Sequence, residues 1–288
     1  MKIQEFFDPA TYTLTYVGFD PNTKDAVVID PVLDYEPQGS SVSYGSAAKV
    51  LHFLDKEGLR VHYIMETHAH ADHLTSAQYL KKTLPSAKTV IHENIRMVQS
   101  TFKDVFHFGD DFDTHGKAFD LLVKDGDQIN AGSLSIGVIH TPGHTPACVS
   151  YLVNDQVVFT GDALFMPDFG TGRCDFPKGC AKDLYHSVHN KLYELSDHVK
   201  VYVGHDYQPG GRDLQFCSSI GEEKTSNIQL QAKTTEDEFV SFRTQRDKTL
   251  MAPKLLLASI QINIQNGQFP PKEENGVSYI KIPIRGEV

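Results

Sequence analysis

Short apolar or alternating runs, each closed by glycine, proline or polar residues, recur along the first two thirds of the chain. They predict strands at residues 12–17, 25–29, 61–65 and 89–92, and again at 134–140, 148–153, 157–160 and 199–203. Stretches with apolar residues three or four apart predict helices at 47–56, just after His73, and at 183–195. The two halves therefore share one plan. Sheets whose outer faces are covered by helices, packed sheet against sheet, make an α/β fold of four layers, an αββα sandwich.

Past residue 205 the pattern turns polar and helical, with helices expected at 222–231, 236–248 and 254–266. Pro270 and Pro271 follow, then a strand-like run at 279–284. This divides the chain into a main domain at 1–210 and a C-terminal helical extension at 211–288 packed on it. The stretch 106–116, rich in aspartate and glycine, reads as a surface loop, because its acids lack the spacing of a calcium loop.

Composition narrows the functional classes. Of 288 residues, 40% are hydrophobic and 22% charged, which suits a globular chain with a large core. No run approaches the roughly 20 continuous apolar residues of a membrane span. A net charge of −10 disfavours a nucleic-acid partner, which needs a cationic surface. The amino terminus reaches Glu5 and Asp8 without an apolar segment, so a cytoplasmic protein without a secretory leader is expected. Cys148, Cys174, Cys180 and Cys217 form no C-x-x-C pair, which argues against a thiolate zinc knuckle or a disulfide framework. Cys174, within G-T-G-R-C-D-F, reads as a small core or loop residue, with a place near the site as the alternative. The absence of a G-x-S-x-G element or a phosphate-binding glycine loop leaves serine nucleophiles and nucleotide chemistry without support.

The candidate chemistry lies at strand ends. In M-E-T-H-A-H-A-D-H-L, directly after the run 61–65, His68, His70, Asp72 and His73 are all metal-competent. If this segment is extended, His68, His70 and Asp72 point to one face, and a turn brings His73 beside them. His144 in T-P-G-H-T, Asp162 in V-V-F-T-G-D-A-L and His205 in V-Y-V-G-H-D-Y stand at the ends of further β-like runs, each beside a glycine. Turn-permissive residues at strand tips let several tips converge on one ion. Asp30, ending V-V-I-D-P, reads as a turn cap or a brace for the metal loop, while His92 and His140 read as packing or hydrogen-bonding residues. His186 and His189 lack an H-E-x-x-H pattern and read as surface or interface residues.

This ordered set, H-x-H-x-D-H followed by an isolated histidine, an aspartate and a final histidine, resembles the metallo-β-lactamase superfamily over roughly residues 10–210. An aspartate at 162 and no cysteine ligand make it more similar to glyoxalase II and the persulfide dioxygenases than to most lactam-cleaving enzymes. G-R-C-D-F at 172–176 resembles the G-R-x-D-F element of persulfide dioxygenases, and V-G-H-D-Y resembles their A-H-D-Y. The resemblance implies one Fe(2+) per chain held by His68, His144 and Asp162, with His70, Asp72, His73 and His205 close by. The implied reaction oxidises glutathione persulfide with O2 to glutathione and sulfite. Two histidines and a carboxylate leave coordination positions for sulfur and dioxygen together. The same seven side chains would also serve a binuclear hydrolase of a glutathione thioester, or of a related ester or lactone, with two Zn(2+) activating water. A non-catalytic metal-binding or partner-binding protein is a third reading. Arg173 and Tyr207 are candidates for holding glutathione, Arg173 through paired hydrogen bonds to a carboxylate. The alternatives are that Arg173 pairs with Asp175 and that Tyr207 is an aromatic at the core edge. Arg243, Arg246 and Lys254 are further candidates for holding substrate, while the mixed charges of the first two C-terminal helices read as a solvated face, with a few cations overhanging the site as the alternative. The sequence leaves a homodimer open.

Overall fold

The computed structural model describes residues 1–284 and 286. The strands of the first half are β1 (Lys2–Asp8), β2 (Thr13–Phe19), β3 (Asp25–Ile29), β4 (Val32–Glu36), β5 (Ser41–Ser43), β6 (Arg60–Met65), β7 (Leu74–Thr75), β8 (Lys88–His92) and β9 (Leu121–Val123). The second half adds β10 (Gln128–Ala131), β11 (Leu134–His140), β12 (Val149–Val153), β13 (Val157–Gly161), β14 (Lys200–Val203) and β15 (Cys217–Ser219). Helices α1 (Gly45–Glu57), α2 (Ala77–Thr83) and α3 (Ile95–Val105) belong to the first half. They are followed by α4 (Ala181–Ser187), α5 (Ile220–Ser226), α6 (Glu236–Asp247) and α7 (Leu256–Asn263). None of the described helices is long and apolar enough to cross a membrane.

One six-stranded sheet has the order β1-β2-β3-β6-β8-β9, the other β10-β11-β12-β13-β14-β15, and β5-β4-β7 form a small third. Period-two alternation builds the layers. In β2, Leu14 and Tyr16 join Tyr151 and Phe159 of the opposite sheet, whereas Val17 and Phe19 pack against Val50 and Leu54 of α1. Each buried side chain of this kind contributes about 2 kcal/mol. Leu184 of α4 and Phe239 of α6 join the core from the second half, and the αββα sandwich expected from the sequence is the architecture found. Two buried phenols tie the halves together: Tyr16 donates to the Val203 carbonyl at 2.7 Å and Tyr151 to the Glu66 carbonyl at 2.9 Å.

Several elements depart from the sequence reading. The helix expected at 183–195 is α4 followed by a π-helical turn, Val188–Leu192. Leu184, Val188 and Leu192 are all buried at intervals of four, which overruns the about 3.6 residues of an α-turn. One wider turn returns Leu192 to the core. The strand expected at 279–284 does not form. Instead the Gln261 carboxamide takes up both backbone groups of Lys281, at 2.9 and 3.0 Å, and the segment has no strand partner. The loop at 106–116 is anchored more firmly than a surface loop, since Phe106 is buried and Phe108 stacks on Phe112. The sequence reading missed α3, although Ile95, Val98 and Phe102 mark one buried face.

Asp25, at the start of β3, joins the sheets at the end of the strand opposite the candidate site. Its buried carboxylate accepts from Arg60 Nε and Nη2, from His62 Nε2 at 2.7 Å, and from the Ser133 backbone N–H, at 2.9 Å, in the turn between β10 and β11. Arg60 and then His62 hold this carboxyl well below the usual range against the cost of burial. Its contribution is therefore present above about pH 4, the ordinary aspartate value, and is lost as pH falls. Asp25→Ala is expected to cost about 2 kcal/mol in chemical denaturation at pH 7, because Ser133 N–H loses its partner. The difference from wild type should narrow below about pH 4; a gap independent of pH would contradict the assignment.

Candidate metal centre

The candidate ligands gather where strand ends meet. β3 and β6 run parallel, as do β13 and β14, so the segments leaving β3, β6, β13 and β14 emerge on one edge of the sandwich. These segments carry Asp30, His68 to His73, Asp162 and His205, and His144 comes from the loop between β11 and β12. Close packing as well as turning requires the adjoining glycines. A Cβ on Gly204 would lie 3.0 Å from Asp162 Oδ1, and one on Gly172 only 2.3 Å from the Asp162 carbonyl oxygen.

Hydrogen bonds behind the rings fix which nitrogen faces inward. Asp30 accepts from Thr67 N–H at 2.7 Å and from the Thr67 hydroxyl at 2.8 Å. With its proton committed there, Thr67 Oγ1 can only accept from His68 Nδ1, 3.0 Å away. His68 Nε2 is thus a lone pair. The same logic applies to His144, whose Nδ1 lies 2.6 Å from the Arg173 carbonyl, an obligate acceptor. Both Nε2 atoms face Asp162 Oδ2, at 4.0 Å from His68 and 3.5 Å from His144. Burial, then the neighbouring His70 and His144, push the His68 pKa well below its ordinary value, so the ring stays neutral. His68 Nε2 and Asp162 Oδ1 are buried without a hydrogen-bond partner. A cation held among these atoms would satisfy the buried acceptors together.

The ligand atoms of His68, His144 and Asp162 lie within 4.8 Å of one another. Among the described residues two other sets meet that distance, His70–Asp72–His73 and Asp30–Glu66–His70, and both include His70. Residues 66–73 are not a strand, so the alternation expected of an extended segment does not place these side chains, although the His68 and His70 rings lie 4.0 Å apart. His70 Nε2 turns toward the buried carboxylates, 3.0 Å from Asp30 Oδ1 and 3.3 Å from Glu66 Oε2, at ion-pair distance without hydrogen-bond geometry. Burial opposes charge on this ring, but Asp30 and then Glu66 outweigh it and raise its pKa well above the ordinary value. His205 Nε2 is 3.4 Å from Asp162 Oδ1 and 3.3 Å from Asp72 Oδ2. Thr13, fully buried, stands behind this second group, its hydroxyl 3.3 Å from His73 Nδ1 and 3.4 Å from both His205 Nδ1 and Asp72 Oδ2. No sequence signal marked Thr13, which opens an otherwise ordinary strand.

Asp30 braces the metal loop as the sequence suggested, from a left-handed backbone (φ 49°) that few aspartates adopt. His92 and His140 stack on each other, with ring centroids 4.0 Å apart. Arg173 is engaged by Asp175 through Nε and Nη2, at 2.5 and 2.6 Å, and by the Met251 carbonyl at 2.7 Å, matching the loop-fixing alternative. The Tyr207 ring stacks on His205 at 5.5 Å and lies 4.7 Å from Phe169, with 37% of the residue exposed at the surface. Arg243 does not overhang the site. It is buried in an ion pair with Asp247 and donates to the Thr171 carbonyl at 3.2 Å, while Asp247 accepts from Cys174 N–H at 2.8 Å. Helix α6 thereby fixes the loop whose Arg173 carbonyl orients His144.

Comparison with known proteins agrees with this geometry. The chain is 47% identical over 283 residues to "Glyoxylase B2" of Dictyostelium discoideum, covering 98% of this chain and 97% of that protein. It is 33% identical over 270 residues to "Persulfide dioxygenase ETHE1, mitochondrial" of Homo sapiens, covering 93% and 90%. The crystal structure of ETHE1 from Myxococcus xanthus superposes with a TM-score of 0.75 at 32% identity, over 93% of this chain and 100% of that one. The sequence profile of the metallo-beta-lactamase superfamily matches residues 12–205, which include every candidate ligand named above, and the chain belongs to that superfamily.

Proposed function

We propose that this protein is a persulfide dioxygenase acting on glutathione persulfide at a single ferrous iron held by His68, His144 and Asp162. The convergence of His68 Nε2 and His144 Nε2 on Asp162 Oδ2 carries this reading. Two imidazole Nε2 atoms and one carboxylate meet at Asp162 Oδ2, while the adjoining His70 ring turns Nε2 to Asp30 and Glu66 and keeps a buried, unpartnered Nδ1. Such a donor set suits a non-haem ferrous ion and leaves positions free on one face. The resemblance to the human protein named persulfide dioxygenase supports the same reading. We assign the catalytic domain to residues 1–210, with 211–288 as an extension that braces it.

The balanced reaction takes one glutathione persulfide, one O2 and one water to glutathione, sulfite and two protons. Bound ferrous iron supplies the redox chemistry that lets dioxygen react with the terminal sulfur. The protein's own residues do the rest. Thr67 and the Arg173 carbonyl hold His68 and His144 in the tautomers that present Nε2. His205 Nε2, beside Asp72 and Asp162, can hold a proton released as water is consumed. Phe165 and Tyr207 pack against the His205 ring, with Phe169 behind Tyr207, and limit water on that side.

A binuclear hydrolase of a glutathione thioester is the second reading. It is favoured by the split of Asp162, whose Oδ2 faces His68 and His144 while Oδ1 faces His205, and by the relative named Glyoxylase B2. An oxygen electrode distinguishes the two. Iron-loaded protein given glutathione persulfide should consume one O2 per persulfide and release sulfite, and Asp162→Asn should abolish consumption. Iron-loaded protein that consumes no O2 but cleaves a glutathione thioester would sink the dioxygenase assignment. In elemental analysis His68→Ala should lose the iron, whereas His205→Ala should retain at least part of it. Equal loss in both variants would contradict the proposed ligand set.

A further inference from the structure

The loop that carries His70, Asp72 and His73 has no strand or helix partner for its backbone between Ala69 and His73. Buried backbone carbonyls and N–H groups of this kind require partners from elsewhere. They find one at the far end of the chain. Asn263, the last residue of α7, is 3% exposed, and its Nδ2 donates to the carbonyls of His70 at 2.8 Å and His73 at 2.7 Å. Its Oδ1 accepts from Thr75 N–H at 2.9 Å. One carboxamide therefore holds three points of the turn, with both donors used and the acceptor occupied.

The helix gives that carboxamide little freedom. Ala258 and Ile262 pack against Leu33 and Leu74, and Ile260 and Ile264 pack into the cluster of α3. Thr75 continues the chain of contacts, its hydroxyl donating to Glu66 Oε1 at 2.5 Å beside His70. We propose that Asn263 is a positioning residue of the metal centre, its carboxamide setting the curvature from His70 to Thr75 and so the placement of His70, Asp72 and His73. The role rests on the reading that this loop borders a metal ion. An acidic side chain cannot substitute, because it would face two carbonyl oxygens where donors are needed.

The test uses Co2+ as probe on the full-length chain, with Asn263→Ser and Asn263→Asp compared with wild type and with Asn266→Ala. Asn266 is the control, since its equally buried carboxamide bonds to Thr89 Oγ1 and the Ala118 carbonyl, away from the loop. With folding verified by circular dichroism, both Asn263 variants should bind Co2+ about 10- to 100-fold more weakly, with an altered visible spectrum. Asn266→Ala should lose thermal stability while keeping wild-type affinity and spectrum. Wild-type-like Co2+ binding by either folded Asn263 variant overturns the role of Asn263 alone, and so does an equal loss of affinity in the Asn266 control. A wild-type chain that binds no Co2+ overturns instead the metal reading on which this role rests.

Discussion

Two imidazole nitrogens and a carboxylate are held facing one another in the buried interior, and this electrostatic conflict organises everything around it. Neither ring can turn away, because Thr67 and the Arg173 carbonyl each take the Nδ1 proton. For His68, burial and the neighbouring rings His70 and His144 also oppose the charged form that would relieve the conflict with Asp162. A buried set of acceptors without donors would cost the fold several kcal/mol, and a bound cation converts that cost into binding energy.

The scaffold sustains this arrangement from both ends of the sequence. The sandwich brings the strand ends to one edge, and Asp30 accepts two hydrogen bonds from Thr67 at the base of the loop. The C-terminal helices complete it. Through Arg243 and Asp247, α6 fixes the loop from Thr171 to Cys174 that orients His144. Through Asn263, α7 fixes the turn from His70 to Thr75. Both helices act on backbone groups, so their influence reaches the ligands through loop shape.

Much of this was legible in the sequence because it depends on local pattern. The predicted strands 25–29 and 134–140 coincide with β3 and β11, since alternation and turn residues bound them sharply. The four stations of candidate ligands were visible because each ends a β-like run beside small residues. The direction of His70 was not visible. Alternation along an extended chain assigns it to the His68 face, and only the long-range partners Asp30 and Asn263 reveal that the segment is curved. The same holds for Arg243, whose burial depends on a loop some 70 residues earlier, at Thr171. Thr13 illustrates the limit, being one hydroxyl in a strand whose partners Asp72, His73 and His205 are all remote in sequence.

The proposed reading is one redox-active ion held by His68, His144 and Asp162. Elemental analysis of protein purified under reducing, anaerobic conditions tests it most directly. The account predicts one iron per chain and no stoichiometric zinc, while two zinc-type ions per chain would contradict it.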